Sequence, residues 1–346
     1  VGEPTVKGES TVMTSSRMRP VLVGLNSAPL LLFIAVFLMF GSLSPHFLEG
    51  RNLLNILVQS SSTAIVAIGM TFVLITAGVD LSVGSIMFVA AAAAGKLMLN
   101  GAPLWLALVV IVMVGLAGGL INAFLITRLR IVAFIVTLAT LYLGRGFALW
   151  LTQTRAMNLP DSLMILGNAR VGGVPLPVLV LLLILLLAHL TLSRTPFGRQ
   201  VYAVGQNLEA ARKAGINTSC ILASVYVISG FCAALGGIVS LAQLGAVSPT
   251  FGTNKEFSAI AAAVLGGTSL FGGRGQVFPG TLLGAILIQT VENGLVILNA
   301  DPYLYPMITS AIIFSAVMID SLRSALLAKW SRRRIRVEQP AQLSRS

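Results

Sequence analysis

Charged residues are spaced too far apart in this chain for it to fold in water. None lies between Arg19 and Glu49, between Arg51 and Asp80, or between Lys96 and Arg128. The same holds from Arg170 to Arg194, from Lys213 to Lys255 and from Asp301 to Asp320. Each gap meets or approaches the roughly 20 apolar residues that a helix needs to cross the hydrocarbon core. Stretches at 81–95, 131–152, 257–270 and 276–297 qualify too, once a charge near an end can snorkel to the interface. The expected spans are 22–44, 53–78, 82–99, 103–127, 131–153, 175–193, 219–243, 257–271, 276–298 and 303–321.

Composition agrees. The chain is 56% hydrophobic and 10% charged, with a mean hydropathy of +0.92, where a soluble domain carries about 25% charged residues. In lipid a helix satisfies its own backbone. The expected fold is therefore an all-α polytopic bundle of about ten spans. Its net charge of +12 would suggest nucleic acid in a soluble protein. Here it reads as retention of Lys and Arg on the cytoplasmic side, with membrane lipid as the partner and no nucleic acid.

Orientation follows from the same count. With the N-terminus inside, 17 of the 23 basic residues fall on cytoplasmic segments and 5 outside (Arg51, Lys96, Arg155, Arg170, Lys255), with Arg145 inside a span. Both termini are expected in the cytoplasm. The chain then divides into a tail at 1–21, a transmembrane domain at 22–322 with a cytoplasmic loop at 194–218, and a basic tail at 323–346. The apolar run after Pro20 is too long for a signal-peptide core and no A-x-A site follows it, so it is read as a retained span.

Three segments interrupt the apolar pattern. The first, Thr-Ala-Gly-Val-Asp-Leu-Ser-Val-Gly-Ser at 76–85, places Asp80 between two spans. Two readings stand. Asp80 or Ser82 caps the third span, or the break, with Gly84, lies on a translocation path, because irregular backbone at membrane depth must line a cavity or be covered by protein. The second is the glycine-rich run at 265–275, with Gly266, Gly267, Ser269, Gly272 and Gly273. It reads as a tight turn or a gate, and it lacks the G-x-x-x-x-G-K-[ST] pattern of a phosphate loop. Each break follows a similar Ala-rich stretch, at 62–67 and 258–262, which hints at an internal repeat.

The third segment runs from Thr195 to Asn217. Within it, residues 207–215 read as a short helix. Asn207 is the N-cap, Glu209 stands in the first turn beside Ala210 and Ala211, Arg212 and Lys213 stand in the last, and Gly215 takes the left-handed terminal position. It is either an exposed loop helix or a docking element for a second protein.

Other polar residues carry weaker signals. Arg145 is expected to snorkel to the outer face, and both it and Glu292 could face a polar pore. Asn122, Gln289 and Asn293 could join helices or line a path. Gly115 with Gly119, and Gly280 with Gly284, are small-xxx-small pairs for close packing. Cys220 and Cys232 are about 18 Å apart on one helix, too far for a disulfide, and both read as small packing residues. His46 and His189 have no neighbouring ligand residues, and no nucleophile–base pair is present.

Taken together, these motifs resemble the permease subunits of ribose, xylose, arabinose and related sugar ABC importers. The resemblance rests on Gly-Val-Asp-Leu-Ser-Val-Gly-Ser at 78–85, on the run at 259–275, and on Thr-Pro-Phe-Gly-Arg at 195–199 followed by the segment at 203–215. It covers about residues 30–322. It implies a pore of two permeases (a second copy or a paralogue), a partner ATPase, often a tandem fusion, that binds ATP and Mg, and a periplasmic sugar-binding protein, all at a bacterial inner membrane. It implies no cofactor and no catalysis on this chain. It also implies that Asn207, Glu209, Ala210, Ala211, Arg212 and Gly215 couple to the ATPase, and it raises Asp80, Ser82, Gly84, Asn122, Asn293 and the second break as pore or gate elements. Two departures stand out. Val132-Ala133 precede Phe134 where relatives often have Pro, and Ser258 stands where they often have an acid.

Alternatives are a permease for another small polar solute, such as a nucleoside, an amino acid or an autoinducer-like sugar derivative, and an ion-coupled secondary transporter. The latter needs carboxylates or His near mid-membrane, and Asp80 and Glu292 lie near span ends. A membrane-embedded enzyme would need clustered catalytic groups, for which eleven acids and two histidines supply little material.

Overall fold

The computed structural model describes residues 30–301 and scattered positions between 303 and 318. The tails at 1–21 and 323–346, the start of the first expected span and part of the last lie outside the described residues.

Helices follow one another as α1 (Leu30–Leu43), α2 (Gly50–Ile75), α3 (Val83–Leu99), α4 (Leu104–Thr127), α5 (Ala133–Thr152), α6 (Asp161–Asn168), α7 (Leu176–Arg194), α8 (Pro196–Gln206), α9 (Leu208–Lys213), α10 (Thr218–Leu244), α11 (Lys255–Leu265) and α12 (Leu282–Ile297). Among the described residues six segments are long and apolar enough to cross a membrane: α2, α4, α5, α7, α10, and Val277–Ile297, in which a π turn leads into α12. The chain is a helical membrane bundle.

One expectation needs correction. The span expected at 257–271 is an 11-residue helix, about 16 Å long and roughly half the hydrocarbon thickness. It stops at Leu265 because Gly267 adopts φ +89°, a conformation no helix continues through. The connection between α5 and α7 carries α6 and three two-residue strands. Met157–Asn158 (β1) pairs antiparallel with Ala246–Val247 (β4), and Arg170–Val171 (β2) with Val174–Pro175 (β3). These two-residue pairs sit in connections and leave the bundle all-α.

The bundle is organised around α2. Its most apolar window is 83% buried, against 22% and 17% for α4 and α5, which turn large side chains such as Tyr142, Leu143 and Trp150 outward. α10 packs on both α2 and α4, and α3 lies between α4 and α5. Small residues allow the close approach. A Cβ at Gly69 of α2 would stand 2.7 Å from Cys232 Cβ, and one at Gly119 of α4 would stand 2.7 Å from the Tyr226 carbonyl. Gly115 likewise faces Gly230, and Gly280 and Gly284 abut Gly266 and Ala262, so both small-residue pairs serve helix packing. Hydroxyls add polar links: Ser62 Oγ donates to the Gly236 carbonyl at 2.8 Å and lies 2.7 Å from Ser240 Oγ. Cys232 is buried in this seam, whereas Cys220 is exposed.

Candidate functional site

The three interrupting segments meet at one end of the bundle. Helix α8 starts from Thr195, whose Oγ1 accepts the Gly198 N–H at 3.1 Å, and it buries Gly198, Val201 and Val204. This face lays Gly205 against the end of α2. A Cβ there would overlap the Ile75 carbonyl oxygen and stand 2.7 Å from Gly273 N. That carbonyl accepts the Gly273 N–H at 2.8 Å. One turn earlier, Tyr202 Oη donates to the Gly275 carbonyl at 2.7 Å, and burial pushes its phenol above the ordinary range. Gly272 in turn sits against Ala77. The end of α2, the glycine run at 266–275 and α8 thus form one junction held by backbone contacts.

The glycine run is ordered by its own bonds. Ser269 N donates to the Arg274 carbonyl at 3.0 Å, and Ser269 Oγ accepts the Phe271 N–H at 3.2 Å. Gly267, Gly272 and Gly273 all have positive φ, which a side chain would strain. Gly266 is pressed onto the backbone of Gly280 and Thr281, which fixes the half-length helix α11 to the start of α12.

Beyond α8 the chain turns into α9 as its capping residues dictate. Asn207 Oδ1 accepts the Ala210 N–H at 2.9 Å, and Gly215 has φ +83°. Glu209, Ala210, Arg212, Lys213 and Gly215 are exposed, while Ala211 is buried. Of the residues assigned to docking, Ala211 therefore anchors the helix to the bundle and the others form its free face.

Asp80 lies just past the junction in a buried polar knot. Its Oδ1 accepts the Ser82 N–H at 3.0 Å and the Ser82 Oγ–H at 2.5 Å. Asn122 of α4 donates to Ser82 Oγ at 2.8 Å and accepts from Thr140 Oγ1 of α5 at 2.7 Å. Tyr226 and Ser229 of α10 stand beside the carboxylate. The cap reading fails as stated, because Ser82, at the N-cap of α3, has helical backbone and spends its hydroxyl on Asp80 rather than on the first turn. Asp80, Ser82 and Asn122 are fully buried. From Asp80 onward the break is covered by protein, while Ala77 is exposed, and the knot ties α3 to α4 and α5. Gly84 is pressed against the Gly252 carbonyl and Glu256 Oε2.

Toward the other end, Asn293 and Asn52 exchange amide hydrogen bonds at 2.9 and 3.0 Å, joining α12 to α2. Asn293, Glu292, Gln289 and Ser258 line a cavity together with Val296 and Tyr305. Sequence reasoning counted Lys255 only as an external loop charge; it also lines that cavity and donates to Thr63 Oγ1 at 2.9 Å. Arg145 does not snorkel outward. It lies in electrostatic reach of buried Glu256 at the start of α11, and its guanidinium approaches the Phe251 carbonyl at 3.5 Å. Tyr202 and Gly205 were also missed as site residues; the only trace was Gly205 within Ala-Val-Gly-Gln-Asn at 203–207.

Comparison with known proteins adds the family. The model described as branched-chain amino acid transport system / permease component matches residues 52–321. The chain is 38% identical over 298 residues to the ribose import permease protein RbsC of Haemophilus influenzae, covering 84% of this chain and 92% of that protein. It is 38% identical to the D-allose transport system permease protein AlsC of Escherichia coli, over 82% of this chain and 88% of that one. It is 34% identical to the autoinducer 2 import system permease protein LsrD of Klebsiella pneumoniae, over 89% and 95%. No solved structure matches the chain. A family match over most of the length, in a bundle with six apolar spanning helices, makes this chain a member of the permease components of ABC importers, multi-pass proteins of the inner membrane.

Proposed function

We infer that this chain is the pore-forming subunit of an ATP-driven importer for a simple sugar, ribose or a related monosaccharide. The observation that carries the reading is the identity of more than one third to ribose and D-allose permeases along nearly their whole length. Both termini in the cytoplasm fit the 17-to-5 bias of basic residues, with about ten membrane-inserted segments of which α11 is half-length. Two permeases, two copies or a pair of paralogues, enclose the path. A cytoplasmic ATPase, a tandem fusion, binds ATP and Mg and hydrolyses ATP, and a periplasmic binding protein delivers the sugar. This chain binds no cofactor.

The mechanism runs through the junction. Helix α9 presents Glu209, Ala210, Arg212 and Gly215 to a cleft of the ATPase. Closure of the ATPase pulls α9, and α8 moves with it because Asn207 and Ala211 fix the turn between them. Through Gly205 and Tyr202 the motion reaches the end of α2 and the glycine run together, so that α3 and α11, which begin or end at those breaks, move against α2. The buried knot around Asp80 keeps α3, α4 and α5 together as one body during this motion.

The test is Glu209→Lys in the assembled transporter, reconstituted with its ATPase and binding protein. Sugar uptake falls at least tenfold while the protein still inserts in the membrane and the ATPase still hydrolyses ATP. Uptake at the normal rate would remove α9 from the coupling path.

The similarity to LsrD supports a second reading, import of a sugar-derived autoinducer. Uptake of that compound in preference to ribose and allose would select it.

A further inference from the structure

A cavity of about 470 Å³ lies between α2, α11 and α12, lined by Gln59, Lys255, Ser258, Gln289, Glu292 and Asn293, with Tyr305 beside them. Gln59 precedes Ile75 by 16 residues on α2, about 24 Å along the helix. The cavity is therefore at the far end of the bundle from the junction with α8. Its volume is within the range of about 300–1,000 Å³ typical of small-molecule sites.

We propose that this cavity is a low-affinity subsite for a neutral, polyhydroxylated solute. The charges argue first. Lys255 and Glu292 line the same cavity, so one basic and one acidic group leave its wall with no net charge. An anionic solute would be repelled by Glu292, and a cationic one by Lys255. A neutral solute meets neither repulsion.

Hydrogen-bonding capacity argues second. The Lys255 ammonium carries three donors, and Thr63 Oγ1 takes one of them at 2.9 Å. Gln289 Nε2 gives one of its two N–H groups to Gln59 Oε1 at 3.0 Å, which leaves its second N–H and its carbonyl. The Glu292 carboxylate accepts only. Donors and acceptors of both kinds therefore surround the same small volume. Vicinal hydroxyls, each able to donate and accept, match such a wall; an aliphatic side chain would leave these groups unpaired.

The assignment rests on the sugar-import reading and deepens it: a solute here is about one helix length from the ATPase-docking segment. A transporter must release what it carries, so a Kd near millimolar, about 4 kcal/mol of binding, is sufficient.

The test uses the permease assembled with its ATPase in membrane vesicles without nucleotide, with Cys220 and Cys232 replaced by Ser. Val296→Cys, at the cavity wall, keeps every polar group and reports access by its rate of reaction with a charged methanethiosulfonate. D-Ribose or D-allose at about 50 mM, well above a millimolar Kd, slows that reaction by roughly threefold or more. L-Leucine and sodium phosphate at the same concentration leave it unchanged. Thr154→Cys, exposed outside the cavity, responds to none of them. Adding Gln289→Leu or Glu292→Gln to the Val296→Cys protein removes most of the sugar protection. Equal protection by leucine or phosphate overturns the proposal, and so does absence of protection by both sugars. If that same complex still imports ribose with its binding protein and ATP, the subsite falls and the sugar-import reading stands. If it imports neither sugar, both fall.

Discussion

Gly205→Ala tests whether α8 is wired to the two breaks. The added methyl has nowhere to go: it would overlap the Ile75 carbonyl oxygen, which accepts the Gly273 N–H at 2.8 Å. Three contributions set the size of the effect. Forcing a methyl into packed backbone costs about 1–3 kcal/mol. Weakening one buried backbone hydrogen bond costs about 1 kcal/mol. Replacing Gly by Ala inside a helix returns about 1 kcal/mol. The net is a loss of about 1–3 kcal/mol, or roughly a five- to 150-fold shift in the equilibrium that holds α8 on the junction. Two measurements read it: thermal unfolding of the detergent-solubilised chain, and sugar imported per ATP hydrolysed in proteoliposomes. Both fall. Gly146→Ala is the control, because nothing lies within 4 Å of a Cβ at that exposed position of α5, and it leaves both unchanged or slightly raises the melting temperature. A Gly205→Ala protein that melts with the wild type and transports with full coupling would refute the junction.

Tyr202→Phe deletes one hydrogen bond to the Gly275 carbonyl while keeping the ring, and lowers the sugar-to-ATP ratio by a few-fold, about 1 kcal/mol, with little change in insertion. Asn122→Leu leaves Ser82 and Thr140 without their shared partner and destabilises the fold by about 1–3 kcal/mol, read as a lower melting temperature of the purified chain. Asn52→Ala and Asn293→Ala remove the same reciprocal pair, so their effects on melting are non-additive, with a coupling of about 0.5–3 kcal/mol in a double-mutant cycle. Arg145→Met leaves Glu256 buried without the cation that acts on it, so it lowers the melting temperature more than Arg145→Met combined with Glu256→Gln.

The bundle was legible because lipid imposes a simple rule. Long stretches without charge must be helices, and the positions of Lys and Arg mark their ends. The shape of α9 was legible for a local reason: Asn207 and Gly215 fix its ends through bonds within three residues. What lay hidden depends on residues far apart in sequence. The bond from Gly273 to Ile75 and that from Tyr202 to Gly275 join segments by backbone carbonyls, and a carbonyl has no identity in the sequence. Gly205 is needed for the absence of a side chain, which a reader meets as just another glycine in a chain with 34 of them.

The misreadings share one cause. Each treated a polar residue by its distance along one helix, when its partner came from another. Arg145, far along α5, was assigned to the outer surface by the reach of its side chain. The turn before α11 brings Phe251 and Glu256 beside α5; Nη1 of the guanidinium meets the Phe251 carbonyl, and Glu256 lies within electrostatic reach. Asp80 was weighed as a cap for α3 on the same one-helix logic. Ser82 instead donates to it, Asn122 donates to Ser82, and Thr140 donates to Asn122, so the carboxylate ends a chain of donors drawn from two further helices. A buried acceptor is costly unless its donors are supplied; Ser82 supplies two to Asp80 Oδ1, and the bonds from Asn122 of α4 and Thr140 of α5 hold Ser82 in place to do so.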